Sequence, residues 1–489
     1  MWRGWVVPPE AGEEPVEVGA GEFPVEWPGG GVVVLLEGED LRSEGRWVLE
    51  VVGGEQLALY DGEVDLDLVQ PGGVDREVHH LRVGIGVPKT GGGGLVAVMD
   101  AQRTLRAPAG WSPQRAMVTY FPAMADLCMA LQPDIRPIEA RLDRDEAVGI
   151  DTSCLRQALR ELRWRLEYTA DVAGVRTNLE RIRSLAALPT PPCANNPDEE
   201  GSYGACTDVW FLKLDASVDH LLAPDFNGKP PRFLDRINDP DRLERYLEGL
   251  LVSRLAEDGV DQRKELNFAT ADLVRLILWR LPANYRWDPR LEMVIRRFVA
   301  KWQDPVTGFF GAGYEIGGQR LRTTDLSLTF HMARYLEGRI GYWPKLIDTL
   351  IEIRDDRYPN GWLDEAGLTN HNNYDVATLF QLGWPELRRD QRQHARVELD
   401  RLLGWCLATA VTSDGTVVAR AKSESLSESY YFTVAFLDTV GYFDPTKRFW
   451  TDRAFPAAPA LRAQLERRVR RLHHADPMVR MALERLPPP

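Results

Sequence analysis

Cysteine is scarce in this chain. There are 5 in 489 residues, Cys128, Cys154, Cys193, Cys206 and Cys406, and none falls in a Cys-x-x-Cys spacing. That excludes a disulfide-dense scaffold and the thiolate zinc signatures, so no metal site and no cofactor is expected. The one pairing the spacing suggests is Cys193 with Cys206, which flank a polar insert over 194–204 and would bridge only in an oxidising compartment. Basic excess is missing too. With 59 Lys and Arg against 73 Asp and Glu the net charge is −14, which argues against nucleic acid or an anionic membrane as the main partner. No apolar run approaches the roughly 20 residues of a membrane span. The first residues, Met1 to Pro8, lack the apolar stretch of a secretory signal, and the expectation is a cytoplasmic protein. The glycine run Gly91 to Gly94 is not followed by the Gly-Lys-Ser/Thr that a phosphate loop needs to hold phosphate and metal.

What is present divides into two kinds of pattern. Up to residue 108 the chain is β-rich, with short apolar segments at 32–36, 47–52, 56–60, 64–69 and 78–87 separated by Gly, Pro and Asp. They predict a small all-β, sandwich-like domain. From Ser112 the period becomes helical, clearest over 154–168 and 172–187. The basic residues in 156–165 predict a solvated helix face. Pro189 to Gly204 is a long loop rich in Pro, Asn and Asp, a length that often borders a cleft.

Between Pro289 and Phe443 one unit repeats three times. An amphipathic helix leads to a Gly-containing turn, a polar cluster and a helix that is apolar on most faces. The turn glycines Gly308, Gly361 and Gly415 lie 53 residues (361 − 308) and 54 residues (415 − 361) apart. Leu291, Val294, Ile295, Phe298, Val299 and Trp302 follow the i, i+3, i+4, i+7 spacing of a helix with one wet face. Such helices belong outside. Segments such as 325–336 and 430–437 are apolar nearly all round and belong inside. Arg242 to Ala256, followed by Gly259 and the apolar 273–281, is a fourth unit.

A period of this length with alternating inner and outer helices closes as either a superhelix or a ring. Thr307-Gly308-Phe309-Phe310-Gly311 leading into 324–331, echoed at Gly361-Trp362 and Gly415-Thr416, resembles the α/α toroid of helical hairpins. That architecture is shared by glycoside hydrolases, polysaccharide lyases, terpene cyclases and protein prenyltransferases. The expected fold class is therefore mainly α: a β-sandwich-like domain over 1–108, an α/α toroid over 109–450, and a C-terminal helix and tail over 451–489.

The resemblance implies that the inner helices run the same way and bring their amino termini to one mouth. The residues so gathered are Glu265 and Asn267; Arg322 and Asp325; Asn370, His371, Tyr374 and Asp375; and Glu424, Glu428, Tyr430 and Tyr431. Tyr314, Glu315, Trp362, Asp364 and Glu365 lie in the turns feeding it. Helix capping explains many of these types singly, and Ser425 with Glu428 matches a capping box. A cluster of ionisable groups in every repeat exceeds what capping needs. Of the eight histidines only His371 lies in such a cluster. The candidate catalytic residues are His371, Tyr374, Asp375, Asp325 and Glu428. The candidate substrate-binding residues are Asn267, Tyr314, Arg322, Trp362, Asn370, Glu424 and Tyr430.

Two carboxylates across a glycosidic bond would give hydrolysis, and His with Tyr beside an Asn or Arg would give elimination from a uronate. The expected function is cleavage of glycosidic bonds, by hydrolysis or uronate elimination, in an oligosaccharide or other small-molecule substrate. The alternatives are isoprenoid or other small-molecule chemistry, which lacks its Asp-x-Asp-Asp and zinc-ligand motifs here, and a non-catalytic glycan- or peptide-binding toroid. The sequence does not set the oligomeric state.

Overall fold

The computed structural model describes strand segments between residues 3 and 107, then 111–188, 196–418, 424–474 and 476–486, with side chains from residue 105 onward. Gly91 to Gly94, Cys193 and the strand expected over 56–60 lie outside the described residues. The chain forms two compact units. The first holds residues up to Arg106 together with Ile316–Arg322; the second holds Ala107–Glu315 and Thr323–Pro489.

In the first unit, β1 (Arg3–Val7) pairs antiparallel with β2 (Val16–Val18) and with β3 (Val32–Glu37), and β3 pairs with β4 (Trp47–Val51). A second antiparallel run joins β5 (Glu63–Val69), β6 (Val78–Gly86) and β7 (Val96–Arg106). The register sets Val64 opposite Val83, Leu66 opposite Leu81 and Leu68 opposite His79.

The second unit is helical. Its first part contains α1 (Pro113–Tyr120), α2 (Pro122–Ala147), α3 (Ser153–Tyr168), α4 (Val172–Ala186), α5 (Trp210–Leu221) and α6 (Pro240–Gly249). The short strand β8 (Val252–Ser253) and α7 (Leu255–Asp258) lead to α8 (Arg263–Trp279) and α9 (Leu291–Trp302). β8 pairs parallel with β9 (Gly313–Ile316). The next strand, β10 (Gln319–Arg322), belongs to the first unit and pairs parallel with β7. Then follow α10 (Leu326–Tyr335), α11 (Trp343–Glu352), α12 (Asn370–Gly383), α13 (Arg389–Trp405), α14 (Leu426–Thr439), α15 (Ala458–Val469) and α16 (Pro477–Glu484). Among the described residues, no helix is long and apolar enough to cross a membrane.

The two expected helix types are both present, and burial separates them. In α12 eleven of 14 residues are buried, whereas in α11 five of 10 are, all on one face. Packing follows: α5 lies against α8, α8 against α10, α10 against α12, α12 against α14 and α14 against α16. The contacts run start to start and end to end. Asn267 meets Ser327, Asn370 meets Thr433 while Gln381 meets Thr439, and Arg485 meets Asp438. These neighbours are therefore parallel, with α9, α11, α13 and α15 returning between them. The segment expected as a separate tail contributes α16, whose Arg485 also donates to the Tyr374 hydroxyl at 3.2 Å.

Helix starts are set by short polar side chains. Ser112, Asp171, Asp239, Asp325, Thr369, Ser425 and Asp476 each accept a backbone N–H of the first turn. The capping box of Ser425 and Glu428 is formed on both sides.

The turn glycines have steric jobs. Gly308 has φ +74°, and a Cβ there would sit 2.6 Å from the backbone N of Leu346 on α11. Gly415, at φ +78°, would meet the backbone of Gln464 on α15 at 2.8 Å. These two turns are thus seated directly on the next helix, whereas Gly361 packs against Asp356 of its own turn. Gly308→Ala is expected to cost at least about 2 kcal/mol, through combined backbone strain and overlap. Urea denaturation measures this; an unchanged midpoint would contradict the close approach.

Candidate functional site

The site is built from charges that otherwise apolar helices cannot leave alone. Arg160 on α3 is the centre of it. Its Nη1 donates to Asp215 Oδ2 on α5 at 2.9 Å, and its Nη2 donates to Glu428 Oε1 on α14 at 2.6 Å. One planar guanidinium so spans two carboxylates separated by more than 200 residues of sequence, the geometry for which arginine is suited. All three side chains keep some exposure: 41% for Arg160, 20% for Asp215 and 19% for Glu428.

The two carboxylates are driven apart in acidity. Burial raises Asp215, against the pull of Arg160 and Lys264. Burial acts on Glu428 as well, but Arg160, the Ser425 N–H and Arg156 together outweigh it and hold that carboxyl at about 2. At neutral pH Glu428 is ionised, and Asp215 is the more readily protonated of the two.

Around this pair stand groups from the other inner helices. His371, near the start of α12, stacks flat on Phe432 of α14, with ring centres 4.0 Å apart. Its Nδ1 is 3.9 Å from Glu424 Oε1, and burial lowers it to about 4 despite Glu428 nearby, so it is neutral at pH 7. Lys264 on α8 carries its ammonium 4.1 Å above the Phe268 ring. His331 on α10 stacks on Tyr335 and contacts Asn267, Nδ1 to Oδ1, at 2.8 Å. Asn267 gives its Nδ2 protons to Ser327, so its oxygen faces the imidazole and His331 carries its proton on Nδ1. Nε2 is then the basic nitrogen. Ser327 in turn bonds Tyr358.

The remaining expected residues separate into those with spare chemistry and those already occupied. Asp325 accepts from Arg263 at 2.5 and 3.1 Å and from the Leu328 N–H, and is wholly buried. It caps α10 and neutralises α8. Tyr314 is fully buried against Trp111 and donates to Asp261, and burial raises Asp261 to about 6. Trp362 is enclosed in the core with its indole N–H on the Leu350 carbonyl, so no ring face is left for a ligand. Asn370 donates to Thr433, and Glu265 accepts from Tyr246 on the outer helix α6. Tyr430 is buried, Tyr431 accepts from Arg334, and Glu424 accepts from Ser429. Arg322 lies on β10 in the first unit. Asp375 is completely buried on α12, neither of its oxygens has a hydrogen-bond partner among the described residues, and burial raises it well above the carboxylate range.

Asp215, Lys264 and Arg160 were not among the expected site residues. The available signal was Asp215 with Asp219, one helical turn apart on a helix that is otherwise largely apolar. The basic face expected to be solvated is instead ion-paired. Arg156 meets Asp143 and Glu146, Arg163 meets Glu139, and Arg165 meets Glu161 and Asp171. Among the described residues, no group of three or more His, Cys, Asp and Glu is placed to hold a metal ion. Cys206 lies beside Cys154, Sγ to Sγ at 2.8 Å.

The lowered His371 sets a pH dependence. The unfolded chain protonates this residue near its ordinary 6.5 and the folded chain near 4, so stability is full above 6.5 and falls as pH drops through that window. His371→Phe keeps the stack and removes the titration. It is expected to lose about 1 to 2 kcal/mol less than the parent between pH 7 and 4.5. Urea denaturation at the two pH values checks it, and parallel losses would refute the burial argument. Asp325→Ala leaves Arg263 buried without its partner and is expected to cost about 3 to 5 kcal/mol by the same measurement.

No family model matches this chain, and neither the curated proteins nor the solved structures contain a significant match.

Proposed function

We propose that the second unit closes into an α/α toroid, that the first is a β-sandwich-like domain, and that the chain hydrolyses glycosidic bonds at the mouth of the toroid. The ring is supported by the succession of parallel neighbours from α5 to α16. Its closing contact is suggested by Arg480 of α16, which lies within electrostatic reach of His220 on α5 and of Tyr203. The observation that carries the function is the pair Asp215 and Glu428 held on one arginine with their acidities pushed apart. Glycoside hydrolysis needs one carboxyl to protonate the departing oxygen and one carboxylate to stabilise charge, attack or activate water at the anomeric carbon. Asp215 takes the first role and Glu428 the second. Phe268, Phe432 and the neutral His371 are partly exposed and add aromatic surface, although one face of Phe268 carries the Lys264 ammonium and one face each of Phe432 and His371 is taken by their mutual stack. An isoprenoid would favour a largely apolar pocket over this concentration of charge.

Elimination from a uronate would require a base and a phenol acting together. His371 is neutral and suited to the first part, but the Tyr374 hydroxyl is buried and bonded to Arg485. Hydrolysis is therefore the better-supported reaction.

Incubation with neutral and uronate-containing oligosaccharides, followed by mass spectrometry, tests this. The expected products have gained water. Asp215→Asn and Glu428→Gln are each expected to lower kcat by about 100-fold or more while retaining a cooperative melt. Products ending in an unsaturated uronate would move the chemistry to His371 and Tyr374, and full turnover by either variant would overturn the assignment.

A further inference from the structure

The cations of α3 and α8 are not equivalent. Arg160 is held by Asp215 and Glu428, Arg263 by Asp325, and Arg275 by Asp219 and Asp272. Among the described residues, Lys264 has no hydrogen-bond acceptor and no carboxylate within ion-pairing distance; its close contact is the Phe268 ring, with the ammonium 4.1 Å from the centre. Asp215 and Glu167 act on it electrostatically from farther away, and so do the like charges of Arg160 and Arg263. His371 lies within reach of the same ammonium and is neutral.

A half-buried ammonium that keeps only an aromatic face loses much of its hydration without full compensation. Charges of both signs surround it, and the two nearby guanidiniums are each already engaged by carboxylates. Arg160 takes the direct contacts of both Glu428 and Asp215, so the Lys264 ammonium keeps only the Phe268 face as a close partner among the described residues. An incoming anion would satisfy it, and a polar neutral group would do so less well.

We infer that the substrate carries a negative charge on a sugar unit, most simply a uronate carboxylate, and that Lys264 receives it beside the Asp215 and Glu428 pair. This rests on reading the mouth as a glycosidic site. The aromatic ring under the ammonium fixes where the anion meets it, and the two carboxyls then address the adjoining linkage. Lys264 is a specificity-determining residue in this arrangement, and it takes no part in proton transfer.

The test compares the purified parent with Lys264→Met on matched oligosaccharides, one series neutral, one uronate-bearing and one sulfated. The parent is expected to favour a charged series. Lys264→Met is expected to lower kcat/KM on that series by about 10- to 100-fold more than on the neutral one, the usual worth of a charge-assisted contact. Lys264→Arg should recover part of it. A preference for sulfated over uronate-bearing sugars would keep the anion site and overturn the carboxylate assignment. Preference of the parent for neutral sugars, or an equal loss on all series, would overturn the inference and leave the hydrolase reading standing. If nothing is cleaved, calorimetric binding of the same oligosaccharides decides. Binding of a charged series that Lys264→Met abolishes supports the anion site while the hydrolase reading fails; absence of binding overturns both.

Discussion

An interior made by parallel helices can hold charge only when each charge finds its opposite on a neighbour, and the guanidinium of Arg160 between Asp215 and Glu428 is where this constraint binds most tightly. It joins α3, α5 and α14 through one planar group. Arg263 with Asp325 does the same for α8 and α10, Arg275 with Asp219 for α5 and α8, and Arg485 with Asp438 for α16 and α14. Taking such ions out of water is costly, and the pair repays little more than that cost. What the pairs specify is rotation: a helix turned by one residue would strand its charge. Apolar burial along α10, α12 and α14 supplies the driving force, and the ion pairs select one arrangement of it.

The same constraint gives the candidate site its electrostatic character. Charges that are fully paired and buried, as Arg263 and Asp325 are, become architecture. Charges that are paired but partly exposed, as Glu428 and Asp215 are, stay in contact with solvent. His331, oriented through Asn267, and His371, stacked on Phe432, are held in the neutral form by burial and so leave the electrostatic character of the site to the carboxyls, Arg160 and Lys264.

Much of the helical repeat was legible in the chain. The one-sided apolar spacing of 291–302 becomes α9, the nearly all-apolar 325–336 contains α10, and Ser425 with Glu428 forms the capping box its spacing suggested. Local rules suffice there because the signal lies within one or two turns. The roles of polar residues at the helix starts were less legible. Asp325, Tyr314 and Asn370 have side-chain types used alike for caps, buried pairs and catalysis, and only the partner distinguishes these uses. Trp362 shows the same ambiguity for an aromatic residue, enclosed in the core although its turn position suggested a sugar platform.

Sequence by itself determined the alternation of inner and outer helices, the turn glycines, the acidic net charge and the presence of ionisable groups in every repeat, because periodicity, steric freedom and charge are properties of nearby residues or of simple sums. Tertiary structure decided which of those groups share a site. Asp215, Lys264 and Arg160 each share their helix with other charges, and little in the local sequence sets them apart from those neighbours. They come together because helices distant in sequence pack side by side, where burial and a shared guanidinium pull the two carboxyls apart in acidity and the Lys264 ammonium rests on an aromatic ring.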